Sequence, residues 1–193
     1  KIKILSSVDI ECVNAFISKN ERFNSLIGND STKYPTWKED SDKGSQVRSL
    51  TLDSLSESFK ASHIGLIKSD VDGYDYDVVL SAIELIKKNS PVLYFECDFR
   101  NTYQLTKFKE LIQKLMEVEY SSFYLFDNFG NYLTRVSEYY QIVNFLEYSR
   151  DNGVGKNKNI YYFDVMAICS KDNEVADKAI EQYKLFCKKD NYL

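Results

Sequence analysis

Five acids follow two short apolar runs in this chain. Ile64-Gly-Leu-Ile-Lys-Ser69 leads into Asp70, Asp72 and Asp75, and Val92-Leu-Tyr-Phe95 leads into Glu96 and Asp98. Neighbouring strands of a sheet lie about 4.8 Å apart, so acids at the ends of two such strands can converge on one site. Open α/β sheets put their ligands at those ends. A cluster of this kind can hold a hard divalent cation through oxygen ligands, for which Asp70, Asp72 and Glu96 are the candidates. It can supply a general base for a substrate hydroxyl, the role that Asp70 and Glu96 suit best because folding does not require acids at strand ends. It can also hydrogen-bond a polyol, with Asp72, Asp75 and Asp98 as binding groups. The plainer reading of Asp72 or Asp75 is that one of them caps the helix that follows and complements its N-terminal dipole.

Other chemistry-bearing residues carry less. Gly153-Val-Gly-Lys156 lacks the spacing of a phosphate loop, and Asn157 stands where Ser or Thr would hold magnesium, so a surface loop is expected. His63, the single histidine, opens a strand with no nucleophile signature around it, and an exposed or structural role is expected. Cys12, Cys97, Cys169 and Cys187 form no C-x-x-C pair and sit in apolar patterns, which reads as buried free thiols rather than disulfides or a zinc site. The aromatic runs Tyr139-Tyr140 and Tyr161-Tyr162-Phe163 read as core rather than as a sugar platform.

One β-α-β unit would position the acids. Ile64–Ser69 suits a buried strand, and Gly73 lets the chain turn where a Cβ might not fit. Val79, Leu80, Ile83, Leu85 and Ile86 then predict a helix over 76–88, with Lys87 and Lys88 in its last turn and Asn89-Ser90-Pro91 as its stop. Val92–Phe95 is the next strand, parallel to the first and adjacent to it. Leu105, Phe108, Leu111, Ile112 and Leu115 mark an amphipathic helix. Phe123–Phe126 and Tyr132–Val136 flank Asp127-Asn-Phe-Gly-Asn131 and read as a hairpin. Tyr139, Ile142, Val143 and Leu146 predict a helix, Ile160–Cys169 a strand, and Val175, Ala179, Ile180, Tyr183 and Phe186 a closing helix. Upstream, Lys1–Leu5, Val13–Ile17 and Val47–Leu50 are strand candidates, 24–44 is a long polar loop, and Thr51 or Asp53 can cap a short helix reaching about Phe59. The order predicts one α/β domain over 1–193, its sheet mostly parallel with an antiparallel edge hairpin and right-handed crossovers.

Bulk composition excludes some function classes. Lys and Arg number 25 against 29 Asp and Glu, for a net charge of -4, so no excess of positive charge is available to neutralise nucleic-acid phosphates. Tyr at 15 and Phe at 12 are over-used, which fits AT-rich codon usage better than a sugar-stacking surface. No apolar run approaches the ~20 residues of a membrane span, and no signal peptide is visible. The Asn29-Asp-Ser sequon is therefore expected to be chance, and a soluble cytoplasmic protein is expected.

Three pieces in order carry a family resemblance: Thr51-Leu-Asp53, then Ile67-Lys-Ser-Asp-Val-Asp-Gly-Tyr-Asp75 running into a helix, then Phe95-Glu96. Together they resemble the FkbM family of methyltransferases, whose members carry T-L-D, an I-K-I-D-V-E-G-x-E stretch and a strand ending in Glu. Asp72 and Asp75 stand where Glu is usual, and Ser69 replaces an apolar residue. The resemblance spans roughly 45–170 and implies a partial Rossmann-like class I methyltransferase sheet and transfer from S-adenosylmethionine to a hydroxyl, on a carbohydrate or another small polyol. It implies Asp70 and Glu96 as the groups that position or deprotonate that hydroxyl, with a divalent metal as an option. Glycines 28, 44, 65, 73, 130, 153 and 155 complete no Asp-x-Gly-x-x-x-Gly cofactor loop, so no cofactor-binding residue is assigned. By analogy the chain starts near the third strand of the family's sheet. Its first strand must then repack, pair with another element, or await a missing N-terminal half or a second copy. A non-catalytic binding or assembly module that keeps the fold is the alternative reading.

Overall fold

In a computed structural model, residues 2–6, 10–13, 51–58, 63–71, 73–99, 101–152 and 160–190 are described. The expected strands at 47–50 and beyond Val13, the polar stretches 24–44 and 153–159, and Asp72 lie outside them. The strands are β1 (Ile2–Ser6), β2 (Ile10–Val13), β3 (Ile64–Ser69), β4 (Val92–Cys97), β5 (Tyr120–Asp127), β6 (Tyr132–Val136) and β7 (Phe163–Cys169). The helices are α1 (Leu52–Ser58), α2 (Asp75–Leu80), α3 (Ile83–Asn89), α4 (Thr102–Glu117), α5 (Tyr139–Asn152) and α6 (Asn173–Asp190).

The strands form one sheet in the order β2-β1-β3-β4-β7-β5-β6. The β3–β4 pair is parallel, as its helical crossover requires. Every other neighbouring pair is antiparallel, which overturns the expectation of a mostly parallel sheet. The helix-linked strands β4 and β5 do run the same way, since both are antiparallel to β7. They are not neighbours, however, because β7 lies between them. At the other end β1 pairs directly with β3, so the first strand does find a partner, and in antiparallel sense. The expected edge hairpin is present as β5–β6.

Alternation along the strands sorts their side chains onto two faces. Ile67, Leu93, Phe95, Phe123, Leu125, Val165 and Ala167 pack with the buried stripe of α4 (Leu105, Phe108, Leu111, Ile112, Leu115) and with Ile142 and Leu146 of α5. Tyr124, Phe126 and Ile168 face Ala176 and Ile180 of α6 on the opposite side. That helix is turned from the expected stripe. Val175 and Phe186 are exposed, because Ala176 and Ile180 meet the sheet with Tyr183 beside them. Asp177 fixes the turn by accepting the Tyr124 hydroxyl and the Arg135 guanidinium, each at 2.7 Å. The tyrosines at 139 and 140 are exposed as well, since α5 buries Ile142, Leu146 and Ser149 instead. No helix among the described residues is long and apolar enough to cross a membrane.

The helix expected over 76–88 is two helices, broken at Ser81-Ala82. The Thr51-Leu-Asp53 segment makes the break. Its Asp53 amide donates to the Ser81 carbonyl at 3.0 Å, and the Leu52 amide donates to Ser81 Oγ at 3.1 Å. Thr51 Oγ1 caps α1 by accepting the Ser54 amide, which leaves the Asp53 carboxylate for α3, where it accepts the Glu84 and Leu85 amides. An acid at a helix N-terminus satisfies amides that otherwise lack a partner.

Candidate functional site

The parallel β3–β4 pair brings the two acid-bearing segments to one edge of the sheet. A second contact fixes the loops themselves. Gly73 has φ +90, and a Cβ there would lie 2.8 Å from the Asp98 carbonyl oxygen. Gln104 Nε2 of α4 donates to the Gly73 carbonyl at 3.3 Å. The loop after β3 therefore rests on the loop after β4, through the one residue type that tolerates both the backbone angle and the closeness.

Glu96 stands at the centre of the acids. It is 8% exposed, and among the described residues no hydrogen bond or ion pair reaches its carboxyl. Burial first, then the negative charges of Asp75, Asp70, Asp98 and Asp164, push its pKa up to about 8. Both causes oppose ionisation.

Asp75 is wholly buried at the first turn of α2. Its Oδ2 accepts the Val71 amide at 3.4 Å, so it ties the preceding loop rather than capping its own helix. The Ser69 hydroxyl and the Glu96 amide also lie beside its carboxylate. Burial pushes the Asp75 pKa up to about 7 against the favourable hydrogen-bond contributions around it. Asp70 is exposed and pairs with Lys68 at 2.7 Å, and Asp98 is half-buried. Asp72 lies outside the described residues. Among those described, no group of three ligand-type side chains could hold a metal ion, so the divalent-cation expectation gains no support.

Two features of the site escaped the sequence reading. Asp164 of β7 lies opposite Glu96 in the sheet ladder, and an acid inside the otherwise apolar run Phe163–Cys169 was the signal available. The same edge also carries exposed aromatics. Phe129 is 72% exposed on the β5–β6 turn and Tyr161 is 50% exposed just before β7. Both sit on pinned backbone. The Asp127 carboxylate accepts the Phe129 and Asn131 amides at 2.9 Å, and Asn128 Oδ1 accepts the Tyr161 amide at 3.0 Å. Of the run expected to be core, Phe163 is buried and Tyr161 is not. His63 is exposed, and Cys97 and Cys169 are buried and form no disulfide, nor does the half-buried Cys187.

The family model of the methyltransferase FkbM domain matches residues 8–122, more than half of the chain. The chain belongs to that family. The match covers Asp70, Asp75, Glu96 and Asp98 and ends within β5, before Asp164. No curated protein and no solved structure matches the chain. The family implies S-adenosylmethionine as methyl donor, but the described residues form no cradle for it. The one described glycine where a Cβ would collide is Gly73, and the collision is with the chain's own Asp98.

Proposed function

We propose that this FkbM-family chain forms the acceptor side of an S-adenosylmethionine-dependent O-methyltransferase whose acceptor is a hydroxyl of a sugar or other small polyol. Glu96 carries the reading. A carboxyl that is nine-tenths buried, unpaired among the described residues and poised near pH 8 suits a general base for a hydroxyl. Its carboxylate takes the hydroxyl proton as the oxygen becomes the nucleophile. Asp70 and Asp98 at the rim, less buried than Glu96, accept hydrogen bonds from neighbouring hydroxyls. Phe129 and Tyr161 offer apolar faces at the sheet edge that carries the acids, and a pyranose ring needs both polar groups and an apolar face. The missing glycine-lined turn favours one other reading, a binding module that holds the same ligand without transferring a methyl group.

The test is methyl transfer from radiolabelled S-adenosylmethionine to a panel of methyl glycosides and small polyols. Transfer is expected to rise with pH through about 8, as a base with that pKa loses its proton. Glu96→Gln should abolish it without lowering the thermal midpoint, and Phe129→Ala or Tyr161→Ala should raise KM. Glycoside binding without transfer by the protein from its full reading frame would leave the binding module, and neither binding nor transfer would overturn both readings.

A further inference from the structure

One face of the sheet carries an apolar strip that leads away from Glu96. Glu96 opposes Asp164, and Asp164 opposes Phe126, in one row across β4, β7 and β5. Directly opposed residues project to the same face of a sheet. Phe126 packs on Ala176 and Ile180, so the row lies on the α6 side. Two residues further from the acids, Lys68, Tyr94 and Met166 form a second row, and Leu66 and Val92 begin a third. Side chains alternate along a strand, so the three rows share that side. The helix α6 covers only part of it. Its Asp177 and Lys184 reach over β6, to Arg135 at 2.7 Å and to the Tyr132 ring at 4.2 Å. At 3.6 residues per turn, Val175, Ala179 and Phe186 fall on the opposite flank of the helix and overlook β4. Val175 and Phe186 are exposed, and Leu66, Val92, Tyr94 and Met166 are half-buried. The Tyr183 hydroxyl donates to the Gly130 carbonyl of the β5–β6 turn, so Phe186 stands at the acid end of the strip and Val175 at the far end. Between them lie about 16 Å of helix.

Resting on the reading of Glu96 as the group that meets a sugar hydroxyl, we propose that this groove seats a hydrocarbon tail on the same ligand, which makes the acceptor a glycolipid: its sugar lies at the acids and its tail runs down β4 beside Phe186 and Val175. Continuity with the acids carries the inference. Tyr94 and Val92 follow Glu96 on the same face of the same strand, at steps of about 6–7 Å. A ligand whose hydroxyl reaches Glu96 meets Tyr94 next, and then the apolar side chains of Val92, Met166 and Leu66. A tail laid there takes half-exposed apolar surface out of water on both sides. The width of the strip selects a chain over a helix. Lys68, exposed and paired with Asp70 at 2.7 Å, bounds it on the β3 side. Neighbouring strands lie about 4.8 Å apart, whereas a helix packs about 8–10 Å from the helix beside it. A helix laid against α6 here would have to bury the Lys68 charge, which an alkyl chain leaves in water.

Calorimetric titration of the whole chain with methyl and octyl β-glucoside, the octyl compound kept below its micelle concentration, tests this without cofactor. The octyl glucoside is expected to bind at least about tenfold tighter, the gain from burying two of its additional methylenes. Phe186→Ser and Val175→Ser alter exposed positions that folding does not need, and each should cut that ratio by about threefold or more. Tyr140→Ser removes an equally exposed aromatic from α5 and should leave the ratio as in wild type. An absence of octyl glucoside binding overturns the proposal, as does a ratio near one. An equal loss in Tyr140→Ser also overturns it, since that would report general adhesion of the tail. A dimer in sedimentation that Phe186→Ser disperses, with no gain from the octyl tail, would assign the groove to a second copy of the chain and overturn it as well. In the transfer assay an octyl glycoside should show a KM about tenfold below that of the methyl glycoside of the same sugar. Octyl glucoside binding without methyl transfer defeats the proposed function and leaves the groove, whereas transfer with equal KM for the two tails defeats the groove alone.

Discussion

The Leu85 amide donates to the Asp53 carboxylate at 2.8 Å, across 32 residues of chain. With the Glu84 amide at 3.2 Å, this gives α3 an N-terminal cap supplied by another segment. The family's T-L-D motif is therefore a staple. Its threonine caps α1, its leucine is buried in the core, and its aspartate caps the helix behind the acid-bearing loop.

Asp53→Ala should lower the unfolding free energy by about 1–2 kcal/mol, the usual loss when a capping acid is removed. Asp53→Asn keeps an acceptor oxygen and should lose less. Urea denaturation of the three proteins measures the difference. Equal midpoints for alanine and wild type would mean that water serves the Glu84 and Leu85 amides as well as Asp53 does.

Gly73→Ala should destabilise the protein by about 1–3 kcal/mol, as for a non-glycine residue forced into a sparsely populated backbone region. The backbone angle and the 2.8 Å approach to the Asp98 carbonyl act together there. Thermal melting gives the stability change. Carboxyl NMR of the same variant should show the Glu96 midpoint displaced, because the loops that carry Asp70 and Asp98 can no longer nest.

Asp75 makes stability depend on pH in a particular direction. Its folded pKa of about 7 lies above its ordinary value of 3.8, with burial the leading cause. The folded protein then holds a proton that the unfolded chain has released. That contribution to stability is complete below about pH 4 and is lost as pH rises through 7. Glu96 acts in the same sense up to about 8. Wild type should accordingly become easier to denature between pH 4 and pH 8. Asp75→Asn stays neutral and can still accept the Val71 amide. At pH 8 it should exceed wild type by on the order of 2–4 kcal/mol, with little difference at pH 4. A variant no more stable than wild type at pH 8 would show that the carboxylate is solvated better than its burial implies.

Local patterns were legible where one element decides its own fate. The stripe from Leu105 to Leu115 predicted α4 because those residues repeat at helical spacing and all meet the sheet. The β3–β4 pair followed from the change of period after Gly73 and the stop at Pro91. What failed depended on distant chain. Nothing between Tyr76 and Lys88 announces the break at Ser81, because Asp53 and Leu52 impose it from outside. The α6 stripe was misjudged because Val175 and Phe186 fit the helical period as well as Ala176 and Ile180 do, and contacts with distant chain, those of Asp177 and Tyr183 among them, select between them. Asp164 went unnoticed because its significance lies in the strand it faces.

The placement of β7 has a consequence for how the protein is made. Phe95 of β4 pairs with Val165, and Leu125 of β5 pairs with the same residue from the other side. While the ribosome is still adding the residues between, both strands present an open, apolar edge. At roughly 5–20 residues per second, that interval lasts several seconds. The middle of the sheet thus closes last, after its flanks, and such non-local pairing folds slowly. In such a nascent chain Glu96 meets Asp164 only when translation has passed both.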